Sequence, residues 1–297
     1  MNTAAEEGGP AAGAAGAAGA ADALQGRCSV RFMVTATQTG MTACELLAKQ
    51  SGLSKGRIKD AMTKGAAWLV RGKSRKRLRR ATTAPKAGEG LELHYDQELL
   101  SRTPPPPRCL HDALRYSIWL KPAGLLAQGT DFGDHCSLLR LVELHFQGKR
   151  QVLPVHRLDR EASGLMLVAH DRQAAATLSS LLQAGKIDKR YRITVRGLPE
   201  PSQGSIEFPL DGKPALSRYT VLAHDQEADS SQVEVTLATG RLHQIRRHFA
   251  MLGHPVLGDP RYGTGNKNAS GLALLAASLA FVCPFSGQPV RVDLAAD

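Results

Sequence analysis

The sequence predicts a mixed α and β protein with two folded domains. Segments that alternate apolar and polar residues, such as Val233-Glu234-Val235-Thr236-Leu237, indicate strands. Other segments carry apolar residues at helical spacing between a capping side chain and a glycine, which indicates helices. Residues 104–107 are four consecutive prolines, and such a run stays extended as a spacer. At 297 residues, the chain is long enough to form a domain on each side of it.

The first domain is predicted over residues 28–98, after an Ala/Gly-rich tail at 1–27. The tail has little apolar surface to bury, so we expect it to be disordered. Thr42 and Ser54 are candidate caps for two successive helices, which we expect to end at Gly52 and Gly65. Three strands are predicted at 30–34, 67–70 and 91–95, and the basic segment after Arg71-Gly72 is interpreted as a loop.

The second domain is predicted over residues 112–297, after a Pro-rich linker at 99–111. Asp171 is a candidate cap for a helix that ends before Gly185. Five strands are predicted at 116–120, 165–168, 189–195, 217–221 and 233–237.

A last helix is predicted over residues 242–252. At about 100° per residue, an apolar stripe forms along one side of this helix. The stripe consists of Leu242, Ile245, Phe249 and Leu252. Arg246 borders the stripe, so we expect it to be partly buried, where a guanidinium needs a carboxylate. Arg247 points away, and with Arg241 it is better placed to bind phosphates.

The charge of the chain is concentrated in one segment. The formal net charge is +11, and residues 55–80 contain eleven basic residues and one acid, Asp60, which gives +10. Such a run is either a solvated surface or a nucleic-acid-binding face, and the apolar residues within it favour the second interpretation. The candidate RNA-binding residues in this run are Lys55, Arg57, Lys59, Lys73, Arg75, Lys76 and Arg77.

Several classes of site and partner are not predicted. The five cysteines are scattered without a CxxC pair, so we expect neither a zinc site nor a disulfide framework, as fits a reducing cytoplasm. The sequence has no metal-ligand cluster, phosphate-cradling loop or dinucleotide fingerprint, and no apolar run long enough to span a membrane. We therefore expect a cytoplasmic monomer that uses no metal, no cofactor and no membrane, and we predict no secretory signal.

The chain is organised around residues 153–168, where a charged turn leads into the apolar strand at 165–168. Asp159 lies between Arg157 and Arg160, and two neighbouring cations favour an ionised carboxylate. From spacing alone, a charge cluster at a surface loop remains the alternative interpretation.

Three motifs resemble the RluA family of pseudouridine synthases. His156-Arg157-Leu158-Asp159-Arg160 followed by Ser163-Gly164-Leu165 resembles the family's signature, although Glu161-Ala162 stands where relatives commonly have Asp-Thr. Thr239-Gly240-Arg241-Leu242-His243-Gln244-Ile245-Arg246 resembles a second signature, and Lys121-Pro122-Ala123-Gly124 the opening motif. The resemblance covers about residues 116–292. In the first domain, Leu53-Ser54-Lys55-Gly56-Arg57-Ile58-Lys59 resembles the alpha-L RNA-binding domain.

The resemblance implies a fold and an activity. The fold is α+β, with a mixed, mainly antiparallel catalytic domain after a small α/β RNA-binding domain. The activity is the isomerisation of uridine to pseudouridine. Asp159 is the candidate catalytic carboxylate, and attack on C1′, attack on C6 and removal of a proton all remain open for it. Arg246 would keep Asp159 ionised, Tyr191 would stack on the uracil, and Arg157 would fill the space of the flipped nucleotide. For Tyr191, a core aromatic residue remains the alternative from the residues alone.

The expected partner is structured RNA, with large-subunit ribosomal RNA favoured by the N-terminal domain. Two alternatives are a synthase acting on transfer RNA and a non-catalytic RNA-binding or ribosome-assembly protein. A third, hydrolysis by Ser163 with His156, is disfavoured because neither residue lies in a recognisable nucleophile elbow.

Overall fold

The fold is described from a computed structural model, which covers residues 26–264 and 266–295. The chain forms two units. Unit 1 consists of the described residues up to Arg102 together with Thr130–His135, and unit 2 of Thr103–Gly129 and the described residues from Cys136 onward. The predicted disordered tail lies outside the described residues except for Gly26 and Arg27, and Arg27 begins the first strand.

Unit 1 packs three helices and a short 3₁₀ turn, Ala36–Gln38, with a four-stranded sheet of order β1-β4-β2-β3. All of its strand pairs are antiparallel. Its strands are β1 (Arg27–Met33), β2 (Ala67–Arg71), β3 (Ser74–Arg77) and β4 (Gly90–Asp96). Its helices are α1 (Ala43–Ser51), α2 (Lys55–Thr63) and α3 (Gln97–Ser101).

The two helix caps predicted in unit 1 are confirmed. The Thr42 side chain accepts a hydrogen bond from the Glu45 amide at 3.3 Å, and Ser54 accepts one from the Arg57 amide at 3.4 Å. Each cap satisfies an amide that has no partner inside its helix. Ile58 and Met62, four residues apart on α2, are fully buried in the core of the unit.

The basic segment predicted as a loop is a strand instead. Ser74–Arg77 forms a hairpin with β2, in which Trp68 lies opposite Arg77 and Val70 opposite Arg75. Alternate residues of a strand point to the same face, and the guanidinium groups of both arginines lie over the Trp68 ring, at 3.9 and 4.2 Å. Stacking of the two guanidinium groups on this indole stabilises a strand that has no apolar residues of its own. The charge pattern of the sequence does not predict such a strand.

Unit 2 is a mixed, mainly antiparallel sheet with three helices, which confirms the α+β class. The strand order is β10-β11-β12-β9-β13-β8-β6-β5, with β14 paired to β13 and β7 to β8, and only β13 and β8 run parallel. Its strands are β5 (Arg108–Asp112), β6 (Tyr116–Lys121), β7 (Leu153–Pro154), β8 (Ser163–Ala169), β9 (Asp188–Arg196), β10 (Gln203–Ile206), β11 (Ser217–Asp225), β12 (Ser230–Leu237), β13 (Leu274–Val282) and β14 (Pro289–Asp293). Its helices are α4 (Leu138–His145), α5 (Arg172–Gln183) and α6 (Gln244–Met251).

The parallel contact between β8 and β13 requires a glycine. Gly164 has φ +119°, and a Cβ there would lie 2.4 Å from the backbone nitrogen of Ala276. No side chain larger than hydrogen fits at that distance. Gly164 therefore lets β8 approach β13 closely, just after the loop that carries Asp159.

The connection between the two predicted domains is shorter than the linker predicted at 99–111. Asp96 caps α3 by accepting a hydrogen bond from the Leu99 amide at 2.9 Å. From Arg108 onward, the chain pairs with β6 as an edge strand. The irregular connection is therefore residues 102–107, which include the four prolines. In addition, Thr130–His135 belongs to unit 1, although it lies within the sequence predicted for the second domain.

Candidate active site

A cavity of about 410 Å³ lies in unit 2 between the loop before β8, strand β9 and the turn before α6. A cavity of this size is within the range that accommodates a small ligand or a single nucleotide. Five of the six site residues predicted in this domain line the cavity. They are Arg157, Asp159, Tyr191, Arg241 and Arg246.

Asp159 and Arg246 form the ion pair at the centre of the cavity. Nη1 of Arg246 donates to Oδ2 of Asp159 at 2.9 Å. Arg246 is buried, as its place beside the apolar stripe of the helix predicts, and only 1% of its side chain is exposed. Asp159 remains 18% exposed, so the carboxylate is both paired and accessible from the cavity.

Arg246 has a second carboxylate partner, Asp259, which the sequence analysis did not select. Nε and Nη2 of Arg246 donate to the two oxygens of Asp259 at 2.7 and 2.8 Å. Asp259 also accepts backbone hydrogen bonds from Arg261 and Tyr262. This two-point contact fixes the plane of the guanidinium and leaves Nη1 directed at Asp159.

Arg246 and Asp259 are both held in their ionised forms. Burial alone would lower the pKa of Arg246, but the hydrogen bonds to Asp259 and Asp159 outweigh it and raise the pKa above its ordinary value. Burial likewise works against ionisation of Asp259, yet its hydrogen bonds from Arg246 and the backbone leave its pKa lowered. Arg246 is thus a permanent cation beside the Asp159 carboxylate.

Tyr191 forms part of the cavity wall from the middle of β9. The side chain is buried within the core cluster of unit 2 and also lines the cavity. The interpretation as a core aromatic residue and the interpretation as a residue that stacks on the uracil are therefore compatible. Burial, together with the negative charge of Asp159, raises its pKa to about 12. The ring is therefore a neutral phenol at pH 7, and its apolar body is available to a planar base.

The loop that carries Asp159 is held in place by a buried lysine. Lys121, at the end of β6, is fully buried, and its Nζ shares its three donors among four backbone carbonyls. These belong to Pro122, Leu125, Arg160 and Ala162, at 3.0, 2.8, 3.4 and 2.6 Å. The opening motif is thereby tied to the residues that follow Asp159.

A histidine holds the same loop from the other end. Nε2 of His156 accepts a hydrogen bond from the Leu167 amide of β8 at 3.0 Å. Burial, together with the positive charge of Lys189, lowers the pKa of His156 to about 3, so the ring is neutral and acts as an acceptor.

Two further ionisable groups lie beside the Asp159–Arg246 ion pair. Nε2 of His243 lies 3.6 Å from Oδ1 of Asp159, and its Nδ1 lies 2.9 Å from the Tyr262 hydroxyl. Glu161, which follows Arg160 in the loop, places a carboxylate oxygen 3.7 Å from Nη1 of Arg246.

The three arginines of this domain that were predicted to contact RNA differ in their environments. Arg157 is exposed at the cavity, and Arg241, also exposed, donates to the Pro214 carbonyl at 3.0 Å. Arg247 does not line the cavity and forms a two-point ion pair with Asp211 at 2.9 and 3.0 Å.

Comparison with known proteins identifies the family. Residues 115–251 match the family model described as RNA pseudouridylate synthase. A relative from Aquifex aeolicus, named as an RNA pseudouridine synthase, is 30% identical over 233 residues, which cover 71% of this chain and 72% of the relative. The chain belongs to the RluA-type family of RNA pseudouridine synthases.

Other members of the pseudouridine synthase family match over a smaller share of their length. A relative from Chloroflexus aurantiacus, named as an RNA pseudouridine synthase, is 37% identical over 201 residues, 59% of this chain and 63% of the relative. The ribosomal large subunit pseudouridine synthase D of Zymomonas mobilis is 33% identical over 205 residues, 58% of this chain and 64% of the relative. The chain thus spans less than two thirds of the length of these two relatives.

Solved structures of pseudouridine synthase domains share the fold. Human RNA pseudouridylate synthase domain containing 1 superposes with a TM-score of 0.55 at 23% identity. The superposition covers 66% of this chain and 86% of the human one. Human RNA pseudouridylate synthase domain containing 4 gives a TM-score of 0.52 at 24% identity, and covers 63% and 87%.

The cations of unit 1 divide into two groups. Arg75 and Arg77 form ion pairs with Asp131 and Asp134, and Arg75 also pairs with Glu92. Lys55 pairs with Glu45 at 2.9 Å. The remaining candidate RNA-binding residues are exposed and form no ion pair within the described part of the chain. They are Arg57, Lys59, Lys73 and Lys76.

The sequence analysis missed four residues that shape this pseudouridine synthase site: Lys121, His243, Asp259 and Tyr262. A partial signal existed, because Lys121 and His243 lie in the quoted motifs, and because a buried arginine demands a carboxylate. Within the described ranges, no group of three or more His, Cys, Asp or Glu side chains is arranged to hold a metal ion. Over the same ranges, no helix is long and apolar enough to cross a membrane.

Proposed function

We propose that this protein is an RNA pseudouridine synthase that isomerises specific uridines in structured RNA. The observation that carries the proposal is the Asp159–Arg246 pair, 2.9 Å long, in a cavity that is also lined by Tyr191. The reaction breaks the bond from ribose C1′ to uracil N1 and forms a bond from C1′ to C5. The reaction needs a nucleophile or a general base at the sugar and a surface that holds the detached uracil. It involves no net oxidation or reduction.

Each residue of the site has a role that its environment supports. Asp159 is paired on one oxygen and open on the other, which suits a carboxylate that attacks or deprotonates the nucleotide. Arg246 is a permanent cation that holds that carboxylate in place through a hydrogen bond. Tyr191 provides a flat wall for the uracil, and Arg157 is exposed beside Asp159 to fill the space of an extruded base.

The alternative of a non-catalytic RNA-binding protein is disfavoured by the same pair. Burying Arg246 with two carboxylates costs desolvation free energy. The arrangement also leaves the Asp159 carboxylate accessible from the cavity. Hydrolysis by Ser163 is also disfavoured. Its proposed partner, His156, uses Nε2 to accept a backbone amide and is therefore not free to activate a hydroxyl group.

We propose that ribosomal RNA of the large subunit is the target, with unit 1 acting as an RNA-binding module of the alpha-L type in the cytoplasm. Two observations support this choice over transfer RNA. Unit 1 has exposed cations without carboxylate partners in the described ranges, and the Zymomonas relative is named as a ribosomal large subunit enzyme. Binding through such cations weakens as the salt concentration rises, because the release of counterions from the RNA becomes less favourable.

The proposal is tested by mapping pseudouridines in RNA from cells with and without the gene. Loss of a pseudouridine in large-subunit ribosomal RNA is expected, and loss only in transfer RNA would overturn the choice of target. In vitro, Asp159→Asn should abolish pseudouridine formation while RNA affinity stays near that of the wild type. An active Asn variant contradicts the role of Asp159, and an Asn variant that no longer binds RNA makes the residue structural.

A further inference from the structure

His243 faces the oxygen of Asp159 that Arg246 does not contact. Its Nε2 lies 3.6 Å from Oδ1 of Asp159, whereas Nη1 of Arg246 lies 2.9 Å from Oδ2. A separation of 3.6 Å is longer than a hydrogen bond, and the imidazole lines the same cavity as the carboxylate. The cavity therefore contains a second group that can take up a proton, next to the candidate nucleophile.

The backbone at His243 is strained in a way that directs the ring. The residue has φ +53° and ψ +31°, a left-handed conformation that is uncommon outside glycine. Its neighbour Gln244 fixes this turn, because its side-chain oxygen accepts from the Arg241 amide at 3.0 Å and the Thr239 hydroxyl at 2.8 Å. Strain imposed by the surrounding structure at a cavity wall is typical of functional positions.

Tyr262 orients the imidazole from the side opposite to the cavity. Its hydroxyl lies 2.9 Å from Nδ1 of His243, and the two rings meet edge to face at 5.7 Å and 72°. When the hydroxyl oxygen accepts the proton of Nδ1, Nε2 presents its lone pair to the cavity. The contact with Tyr262 is therefore compatible with the tautomer in which Nε2 of His243 acts as a base.

The charges around His243 favour a neutral ring that can be protonated transiently. The groups that face it are Asp159, Glu161, Arg246, Arg261 and Tyr262. Burial lowers its pKa below 6.5, the two arginines lower it further, and the two carboxylates oppose them. At pH 7 the imidazole is neutral, and the nearby Asp159 carboxylate stabilises the imidazolium that forms when it takes a proton.

We propose that His243 is the base that removes the proton from C5 of the uracil after the new glycosidic bond has formed. This inference rests on the proposed function. Once C1′ is bonded to C5, that carbon also carries a hydrogen. The C5–H bond breaks, its electron pair forms the C5–C6 double bond, and the electrons of the C6–N1 double bond move to N1. The proton goes to Nε2 of His243 and then to solvent, while N1 takes a proton from water, so the protons balance.

His243→Asn is the variant that tests this role. Asparagine is tolerated in the left-handed conformation and retains a polar side chain, but its amide cannot take up a proton. We expect kcat to fall about 100-fold or more, the usual contribution of general base catalysis, while RNA affinity and the thermal midpoint stay near those of the wild type. Deuterium at C5 of the target uridine should slow the variant by a larger factor than the wild type.

The isotope effect separates chemistry from structure, because a purely structural defect slows turnover without making C5–H cleavage rate-limiting. Tyr262→Phe, which keeps the imidazole and removes its orienting hydroxyl, should give a smaller loss with an isotope effect in the same direction. An Asn variant with wild-type kcat, or a slow Asn variant whose isotope effect equals that of the wild type, overturns the role of His243. A wild-type protein that modifies no uridine overturns the proposed function, and the role of His243 with it.

Discussion

Asp259 contacts Arg246 through both carboxylate oxygens, at 2.7 and 2.8 Å, and its own side chain is fully buried. A guanidinium presents its donors in a rigid plane, so two of them held by Asp259 fix the direction of the third. That third nitrogen is the one that contacts Asp159. Asp259 therefore directs the donor of Arg246 that contacts Asp159, although the two aspartates are one hundred positions apart in the chain.

Asp259→Asn is predicted to damage both stability and activity. An amide retains one acceptor but turns a donor toward the guanidinium, so Arg246 loses half of its two-point contact. Breaking a buried ion pair costs about 3–5 kcal/mol of unfolding free energy, and misplacement of a catalytic group by 1 Å costs on the order of 100-fold in rate. Chemical denaturation and turnover by the folded fraction measure the two effects.

The matched control is Asp211→Asn. Asp211 also contacts an arginine through both carboxylate oxygens, here Nη1 and Nη2 of Arg247, but its side chain is 69% exposed. We expect a change below about 1 kcal/mol, because exposed ion pairs contribute little. If the two Asn variants are equally stable and equally active, Asp259 does not set the orientation of Arg246.

Lys121→Met is predicted to loosen the loop that carries Asp159. Methionine fills much of the space of the lysine stem but leaves the carbonyls of Arg160 and Ala162 without their donor. An unsatisfied buried polar group costs about 1–3 kcal/mol, so we expect a loss of that order and a lower kcat/KM at temperatures where the variant is folded. Lys186→Met, at an exposed lysine near the end of α5, is the control and should behave as the wild type. Wild-type turnover in the Lys121 variant would show that the loop needs no anchor.

Local rules predicted most elements because their determinants lie close together in the chain. Thr42, Ser54 and Asp171 each cap the helix that follows them, since a cap acts over three residues. The burial of Arg246 was also predictable from helical periodicity. The last helix, however, begins at Gln244 rather than at Leu242, because His243 takes a left-handed conformation. Leu242 therefore leaves the apolar stripe and is 55% exposed at the cavity.

The interactions that the sequence did not predict depend on distant residues. The partner of Arg246 at Asp259 and the carbonyls around Lys121 come from separate loops, which only the folded sheet brings together. The strand at 74–77 was missed because its stability comes from stacking on Trp68 rather than from β-forming residues.

Unfolding free energy is predicted to decrease as the pH falls below 6.5. Burial lowers the pKa of His156 to about 3, and it also lowers those of His135, His170 and His248. Between pH 6.5 and pH 3 the unfolded chain binds more protons than the folded one, so acid favours unfolding. The contribution of His156 is complete above pH 6.5 and is lost progressively toward pH 3.

His156→Gln isolates this effect, because glutamine can still accept the Leu167 amide but does not titrate. Denaturant unfolding measured from pH 8 to pH 4.5 should show a shallower decline for the variant than for the wild type. Identical slopes would mean that His156 is as easily protonated in the folded protein as in the unfolded chain.

The exposed cations of unit 1 are predicted to contribute to RNA binding more than the ion-paired arginines. Lys59, Lys73 and Lys76 are exposed and form no ion pair within the described residues, so they are free to contact phosphates. Each phosphate contact adds about 1 to the slope of log affinity against log salt. The triple variant Lys59→Gln, Lys73→Gln and Lys76→Gln should therefore bind long structured RNA more weakly, with a slope smaller by about 3.

The matched control is the double variant Arg75→Gln and Arg77→Gln. These arginines stack on Trp68 and pair with Asp131 and Asp134, so their loss should lower the stability of unit 1 more than it changes the salt slope. Point variants are preferred to deletion of the N-terminal residues. Thr130–His135 belongs to unit 1, and a truncation would remove the residues it packs against.

Turnover on a short stem-loop carrying the target uridine completes the test of unit 1. The triple lysine variant should keep wild-type turnover there, because Asp159, Tyr191 and Arg246 all lie in unit 2. If its salt slope on long RNA equals that of the wild type, the exposed lysines are a solvated surface. If the arginine variant flattens the slope as much as the lysine variant does, the ion pairs open on RNA and the arginines contact phosphates directly.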